Sequence, residues 1–146
     1  MDLSFLYRQV IMDHYKNPRN KGLINDANYL SIQMNNPSCG DDIVVQMKVE
    51  DGKIIDIKHD GKGCSICCSS ASVMSEALIG LNKEKAIIVV NEFYELVKGM
   101  PFNEAIIQGD ILAYQGVANF PARIKCATLA WKAIEKGIDE RMNDGR

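Results

Sequence analysis

Apolar and polar residues follow a helical rhythm at the start of the chain. Between Leu3 and His14 the apolar side chains recur every three or four residues, so they share one face of an α-helix. Asp2 can cap the N-terminus of this helix. The Asn17-Pro18 pair ends it, because proline disfavours helical geometry in the preceding residue. A polar segment follows, so residues 1–28 are predicted to form an N-terminal helix and loop.

The next segments alternate between apolar and polar positions, which is the pattern of half-buried β-strands. The three predicted strands cover residues 30–34, 43–49 and 53–59. On the third strand, Ile55 and Ile57 are expected to share the buried face. The Asp51-Gly52 pair between the last two strands is a strong hairpin signal. An antiparallel meander of three strands is therefore expected.

The second half of the chain returns to helical spacing. The predicted helices are one over residues 66–81, one from Asn82 to Gly99, a short stretch after Asn103, and a last helix from Pro121 to about Gly137. Asparagine caps helix N-termini, and proline is favoured in the first turn.

Strands that precede a run of helices are typical of an α+β domain. The chain has 146 residues, a length that suits one hydrophobic core. We therefore predict a single domain over residues 1–146, with a three-stranded antiparallel sheet packed on one face by about five helices. The polar residues 141–146 are expected to form a disordered tail.

Composition excludes several functional classes. The net charge is −2 with both signs mixed along the chain, whereas nucleic-acid binding needs a clustered basic face. No apolar run reaches the ~20 residues that span a bilayer, so no membrane partner is expected. The N-terminal segment lacks the pattern of a signal peptide, which predicts a cytoplasmic protein. The chain has five cysteines, and an odd count in a reducing compartment favours metal or thiol chemistry over disulfides.

Three of the cysteines lie at the ends of predicted elements. Cys39 lies in a loop between strands, Cys64 follows a glycine-rich turn at a helix start, and Cys126 lies near the start of the last helix. Helix N-termini favour the thiolate, which is the form that binds metals and attacks sulfur. The alternative is that these cysteines are small buried apolar residues, a common fate of free thiols.

The spacing of these cysteines does not by itself decide for a metal. A zinc finger uses two close pairs of ligands, whereas these three cysteines are far apart in sequence. Three thiolates with the carboxylate of Asp41 would nevertheless make a good tetrahedral zinc set. By spacing alone the better interpretation of Asp41 is a turn residue, and the alternative for Cys126 is a core position.

Longer motifs strengthen the case for a metal. They are LYRQVIMDHYKNPRN at residues 6–20, NPSCGD at 36–41, GKGCSI at 61–66 and FPARIKCATLAW at 120–131. In this order they resemble the U-type iron–sulfur cluster assembly proteins, the family of IscU and of the NifU N-terminal domain. The resemblance runs nearly from end to end. It implies that Cys39, Asp41, Cys64 and Cys126 are metal ligands.

Two features are most similar to the SufU branch of that family. Lys125 occupies the position where IscU-type chains carry a histidine, and the interval between Cys64 and Cys126 is long, with an extra segment around residues 92–108. The resemblance implies a bound Zn²⁺, a cysteine desulfurase of the SufS type as partner, and Cys39 as the acceptor of persulfide sulfur. A downstream cluster scaffold or apo-protein would then receive the sulfur or the cluster.

Several residues around this predicted site have more than one interpretation. Arg123 and Lys125 are expected beside it, favouring its negative charge, or else are ordinary surface cations. Cys67 and Cys68 replace the non-thiol residues usual in the family. They are spare ligands, a redox pair with Cys64, or tolerated small residues. The two histidines, at positions 14 and 59, belong to no ligand-spaced pair and are expected to be structural or surface residues.

Three functions remain open at the level of sequence. The first is a zinc-dependent acceptor of sulfur. The second is a scaffold that assembles a transient [2Fe–2S] cluster, or holds iron, on the same ligands. The third is a structural zinc module that docks partners. Lys125 and the long segment before Cys126 favour the first over the second. The carboxylate of Asp41 disfavours the third, because structural zinc sites prefer cysteine and histidine.

Overall fold

The computed structural model describes residues 3–142, with side chains from residue 4 onward, and confirms the predicted fold class. In chain order the elements are α1 (Leu3–Lys16), β1 (Leu30–Asn36), β2 (Asp41–Glu50), β3 (Lys53–Lys62), α2 (Ser65–Leu78), α3 (Lys83–Val97), a long 3-10 helix (Gly109–Asn119), a short 3-10 helix (Pro121–Arg123) and α4 (Ile124–Arg141). Within these residues the helices cover one face of a three-stranded antiparallel sheet. The predicted cap at Asp2 lies outside the described residues.

The register of the sheet decides which side chains face the helices. In the order β1-β2-β3, Ile32 pairs with Val45 and Asn36 pairs with Asp41. Because side chains alternate between the two faces of a strand, Asn36 and Asp41 lie on the same inner face as Ile32 and Val45. The buried apolar face of the sheet therefore ends in a pair of polar residues.

A β-bulge corrects one predicted position. The pairing of β2 with β3 shifts between Lys48 and Val49, so that Val49 faces Ile54. Ile54 and Ile57 are consequently buried, whereas Ile55 is exposed. The expectation that Ile55 shares the buried face with Ile57 is wrong, because a bulge adds one residue and changes the phase of the alternation.

An aromatic stack joins the helices behind the sheet. Trp131 of α4 lies parallel to Phe93 of α3, with ring centroids 4.0 Å apart. Tyr114 of the long 3-10 helix meets Phe93 edge-on at 5.9 Å. The indole N–H of Trp131 donates to Ser70 Oγ of α2 at 2.9 Å. All three rings are fully buried, so the core fixes α2, α3, α4 and the 3-10 helix relative to one another.

The last helix differs from the prediction at both ends. It begins at Ile124, because Pro121 opens a separate 3-10 turn, and it continues past Gly137 to Arg141. A Cβ at Gly137 would lie 2.6 Å from Met47 Sδ. Gly137 therefore lets α4 approach the sheet and does not end the helix.

The predicted tail and the predicted short helix are also revised. Arg141 belongs to α4 and Met142 is buried, so the tail expected from residue 141 does not include these two residues; residues 143–146 lie outside the described part. After Asn103 the chain makes turns and then the long 3-10 helix, so no α-helix forms between α3 and Ile124. No helix within residues 3–142 combines the length and the apolar character needed to cross a membrane.

Candidate metal centre

Three of the predicted ligands come together at one end of the sheet. The Sγ atoms of Cys39 and Cys126 and a carboxylate oxygen of Asp41 all lie within 4.8 Å of one another. Cys39 lies in the turn from β1 to β2, where its N–H donates to Asn36 O at 3.1 Å and Gly40 adopts a φ of 71°. Asp41 and Cys126 are buried, whereas Cys39 is half-buried. Solvent therefore reaches this cluster from the side of Cys39.

Asp41 is held in place by two hydrogen bonds. Its Oδ1 accepts the backbone N–H of Cys64 at 2.9 Å, and its Oδ2 accepts from Asn36 Nδ2 at 3.4 Å. The carboxyl group is 1% exposed, and no ion pair joins it to a cation within residues 3–142. A buried carboxylate without a cation is costly. A bound metal ion would remove that cost, so this donor set fits a zinc ion.

Cys64 takes a different position from the other three residues. It is the residue immediately before α2, with φ −69° and ψ 166°, and its backbone rather than its side chain holds Asp41. Its half-buried thiol does not belong to the group within 4.8 Å, although its proximity contributes to the raised pKa of Cys126. The role of Cys64 as a fourth ligand therefore stays a prediction.

Burial and neighbouring acidic groups raise the pKa of the Cys126 thiol. Burial raises the pKa of its thiol, and side-chain hydrogen bonds with Cys39, Asp41 and Cys64 raise the pKa further. The raised pKa shows that these surroundings disfavour the thiolate of Cys126. A metal ion would supply the compensating charge and would compete with protons for the thiolates.

Of the two predicted supporting cations, Arg123 is at the site. A side-chain hydrogen bond with Cys126 raises the pKa of the Arg123 guanidinium, and the charges of Cys64, Cys126 and Cys39 add to this effect. Arg123 belongs to the short 3-10 helix that leads into α4. Lys125 is exposed, and its side chain makes no hydrogen bond or ion pair within residues 3–142. Its supporting role therefore stays a prediction.

Asn36 is a site residue that the sequence analysis did not single out. Its Nδ2 lies 3.4 Å from Asp41 Oδ2 and 3.7 Å from Cys126 Sγ, and its side chain is buried. It thereby orients two of the predicted ligands. A signal was available, because Asn36 continues the inward-facing positions of Ile32 and Met34 with a polar residue.

The glycines before Cys64 shape the backbone and the space around Asp41. Gly61 adopts a φ of 139°, which other residues resist. A Cβ at Gly63 would lie 2.5 Å from Asp41 Oδ1. Gly63 therefore provides the space that the Asp41 carboxylate occupies.

Replacing Gly63 by alanine is expected to weaken metal binding about tenfold or more, because the new methyl group displaces the Asp41 carboxylate. The measurement is a competition titration of zinc against a chromophoric chelator. Lys62→Ala, at the exposed neighbouring position, is the control and should bind zinc like the wild type. Equal affinities for the Gly63→Ala and wild-type proteins would contradict the role given to Asp41.

Cys67 and Cys68 lie outside the ligand cluster. Cys67 is fully buried, and burial raises the pKa of its thiol. Cys68 is half-buried, its Sγ donates to Gly63 O at 3.6 Å, and burial raises its pKa as well. Raised pKa values make both thiols poor nucleophiles at neutral pH. The structure therefore favours the interpretation as tolerated small residues.

The double variant Cys67→Ala/Cys68→Ala is expected to keep its zinc and its ability to accept sulfur. The free energy of unfolding should fall by about 1 kcal/mol, because a small cavity replaces the buried Cys67 sulfur. Metal analysis and a desulfurase assay check the first two expectations, and denaturant unfolding checks the third. Loss of zinc from the double variant would show that one of these thiols is a ligand.

Both histidines are buried and hydrogen-bonded. The ring Nε2 of His59 lies 2.8 Å from Arg19 O, and burial lowers the pKa of His59. His14 bonds Ser72 Oγ through Nδ1 and Asp110 Oδ2 through Nε2. Neither belongs to the cluster around Asp41.

Two thiols and a carboxylate gathered at the end of a small α+β sheet form a candidate metal site with thiol ligands. Comparison with known proteins identifies the family of the chain. The model of the NifU-like N-terminal domain matches residues 6–143, and the chain belongs to this family.

Several proteins that are similar in sequence or structure are named as iron–sulfur cluster assembly proteins or sulfurtransferases. The chain is 52% identical over 137 residues to the zinc-dependent sulfurtransferase SufU of Bacillus subtilis (strain 168), which covers 94% of this chain and 92% of the relative. It is 41% identical over 143 residues to the iron–sulfur cluster assembly scaffold protein IscU of Streptococcus pyogenes serotype M1, covering 97% and 87% respectively. A crystal structure from Fervidobacterium islandicum AW-1, a candidate assembly scaffold for the SUF system, superposes with a TM-score of 0.79 at 32% identity, covering 92% of this chain and 98% of that one. These findings confirm the resemblance predicted from the motifs.

Proposed function

We propose that this iron–sulfur cluster assembly protein binds zinc and accepts persulfide sulfur from a cysteine desulfurase, which it relays to cluster assembly. The observation that carries the proposal is the cluster of Cys39, Asp41 and Cys126, in which Cys39 alone of the three is accessible to solvent. A sulfur acceptor needs one thiol that a partner can reach, and a metal ion bound at this cluster would hold that thiol in its deprotonated form.

The residues proposed to hold zinc are Cys39, Asp41, Cys64 and Cys126. When bound, the metal supplies a positive charge that keeps the thiols deprotonated at neutral pH. Asn36 and the Cys64 N–H orient the Asp41 carboxylate, so it is held whether or not Cys39 moves. The SufU relative is zinc-dependent by name, which supports the choice of metal.

Cys39 is the proposed acceptor. Its thiolate attacks the terminal sulfur of a persulfide on the desulfurase; the new S–S bond forms on Cys39 and the old S–S bond breaks. The desulfurase cysteine leaves as a thiolate, so no oxidant or reductant is consumed. Gly40, in the left-handed conformation, lets the turn around Cys39 adjust more easily than the helix holding Cys126. Arg123 beside Cys126 favours the negative charge of the reacting thiolates.

The proposed partners follow from this role. The persulfide donor is a cysteine desulfurase of the SufS type. The relayed sulfur goes to a downstream cluster scaffold or to apo-protein acceptors. Lys125, at the position of the IscU-type histidine, favours this relay over cluster assembly on the protein itself.

A second candidate function is a scaffold that assembles and transfers a [2Fe–2S] cluster on the same ligands. The two thiols of the cluster, with Cys64 as the predicted further ligand, are also a suitable set for iron–sulfur ligation. The IscU relative is a cluster assembly scaffold by name. The two candidate functions predict different metals in the purified protein.

The discriminating experiment is metal analysis with a visible spectrum of protein purified without oxygen. Sulfur transfer predicts about one zinc per chain, no colour, and stimulation of a cysteine desulfurase. A brown protein whose spectrum shows a [2Fe–2S] cluster, with no desulfurase stimulation by the zinc form, would reject the relay in favour of the scaffold.

A further inference from the structure

A second group of metal-ligating side chains lies away from the thiol cluster, where α1, α2 and the long 3-10 helix meet. It consists of His14, Glu76 and Asp110, and one ligand atom of each lies within 4.8 Å of the other two. We propose that these three residues form a second binding site for a divalent first-row transition metal ion. This inference does not depend on the function proposed above.

The anchor of the site is a fully buried imidazole. His14 is 0% exposed, and its Nε2 lies 2.7 Å from Asp110 Oδ2 and 4.0 Å from Glu76 Oε1. Two ligand atoms that share a metal at about 2.0–2.2 Å lie about 3–4 Å apart, so these distances need only small movements. The carboxylates can make them, because both side chains are about half exposed, 50% for Glu76 and 52% for Asp110.

The second ring nitrogen of His14 has a partner that supports metal binding. Ser72 Oγ lies 2.8 Å from Nδ1 and also accepts the N–H of Arg19 at 2.8 Å. When Nε2 carries the proton, it donates to Asp110. When Nδ1 carries the proton and donates to Ser72, the lone pair of Nε2 faces the two carboxylates. That second tautomer is the metal-ligating one, and histidine ligands are commonly oriented through their other nitrogen in this way.

The local charge favours a divalent cation. Besides Glu76 and Asp110, the neighbourhood holds Asp13, and the nearest cation is Arg19, at 2.8 Å from Asp13 and 3.9 Å from Glu76. With His14 neutral, three carboxylates face one guanidinium, so two negative charges lack a counterpart in this group. The same Glu76 oxygen, Oε1, lies 3.9 Å from Arg19 Nε and 4.0 Å from His14 Nε2, so a metal ion at His14 would compete with a long and weak ion pair for this carboxylate.

The donor set indicates the class of metal. One imidazole nitrogen and two carboxylate oxygens, with water in the remaining positions, suit Mn²⁺, Fe²⁺, Co²⁺ or Zn²⁺. Mg²⁺ and Ca²⁺ prefer oxygen ligands only. The thiol cluster differs from this site because soft sulfur ligands disfavour Mn²⁺. Manganese is therefore a probe that separates the two sites within one protein.

The test is a titration of the zinc-loaded protein with Mn²⁺, followed by the loss of the free-ion EPR signal. We expect about one Mn²⁺ per chain with zinc retained. Glu76→Gln and Asp110→Asn, which preserve side-chain size, should each weaken Mn²⁺ binding about tenfold or more. Asp13→Asn is the control, because it removes a nearby carboxylate that contacts Arg19 and not His14; it should change the affinity by about threefold or less.

A spectroscopic measurement tests the histidine without a variant that risks unfolding. Pulsed EPR of the bound Mn²⁺ should show coupling to one imidazole nitrogen, and the chain has only two histidines. Absence of that coupling would overturn the proposal. So would wild-type binding no tighter than that of Asp110→Asn, or a loss in Asp13→Asn as large as in Asp110→Asn, because either result would indicate diffuse attraction to negative charge.

Discussion

Replacing Cys126 by serine is expected to reduce zinc from about one per chain to near zero and to lower thermal stability. Cys126 is fully buried, its Sγ lies within 4.8 Å of ligand atoms of Cys39 and Asp41, and Cys39, Asp41 and Cys64 all contribute to its raised pKa, so it lies at the centre of the proposed ligand set. Loss of the metal also leaves Asp41 buried without a cation. Uncompensated buried charge costs about 3–5 kcal/mol, which for a domain of this size lowers Tm on the order of 10 °C.

The measurements are metal analysis after gel filtration and a thermal unfolding scan, both with and without added zinc. Added zinc should raise the Tm of the wild-type protein after chelator treatment and leave that of Cys126→Ser unchanged. Cys68→Ser is the matched control: it makes the same substitution at a half-buried thiol of α2 whose Sγ donates to Gly63 O. Full zinc occupancy in Cys126→Ser would show that the ligand assignment is wrong.

Replacing Cys39 by alanine is expected to abolish sulfur acceptance, so that desulfurase turnover falls to the rate without this protein. The variant lacks the half-buried thiol of the cluster and keeps the half-buried Cys64 and the buried Cys126, neither of which is expected to accept sulfur. In the wild-type protein, incubation with a cysteine desulfurase and cysteine should place a persulfide on Cys39. Peptide mass spectrometry without reductant locates it.

Mapping on the wild-type protein keeps this test independent of any loss of zinc in the variant. Cys67→Ala serves as the control, because it removes a thiol that is fully buried and has a raised pKa. A persulfide found mainly on Cys64 or Cys126, together with turnover that survives Cys39→Ala, would reject Cys39 as the acceptor.

Much of the fold could be predicted from the sequence because its elements depend on near neighbours along the chain. Alternation placed the strands within a few residues of β1, β2 and β3, and Asp51-Gly52 marked the hairpin between the last two. Helical spacing located α1, α2 and α3 in the same way. At Gly137 a tertiary contact had overridden a local signal. Gly137 resembles a helix end, yet it lies inside α4 because Met47 packs against it.

For the candidate metal site too, the sequence predicted some features and missed others. The motifs identified the family and the four candidate ligands, since short runs of residues carry that information. They did not show that the Asn36 side chain bridges Asp41 and Cys126. Asn36 and Cys126 are 90 positions apart in the sequence. Nor did they show that Gly63 makes room for the Asp41 carboxylate.

The sequence by itself determined the elements, the family and the residue types available for chemistry. The tertiary structure decided which of these residues meet. It brought Cys39, Asp41 and Cys126 into one cluster, set the thiol of Cys64 beside Cys126, and placed His14 against Asp110. Secondary structure follows from local periodicity, whereas distances of a few ångströms between remote side chains depend on how whole elements pack, and no local pattern encodes that packing.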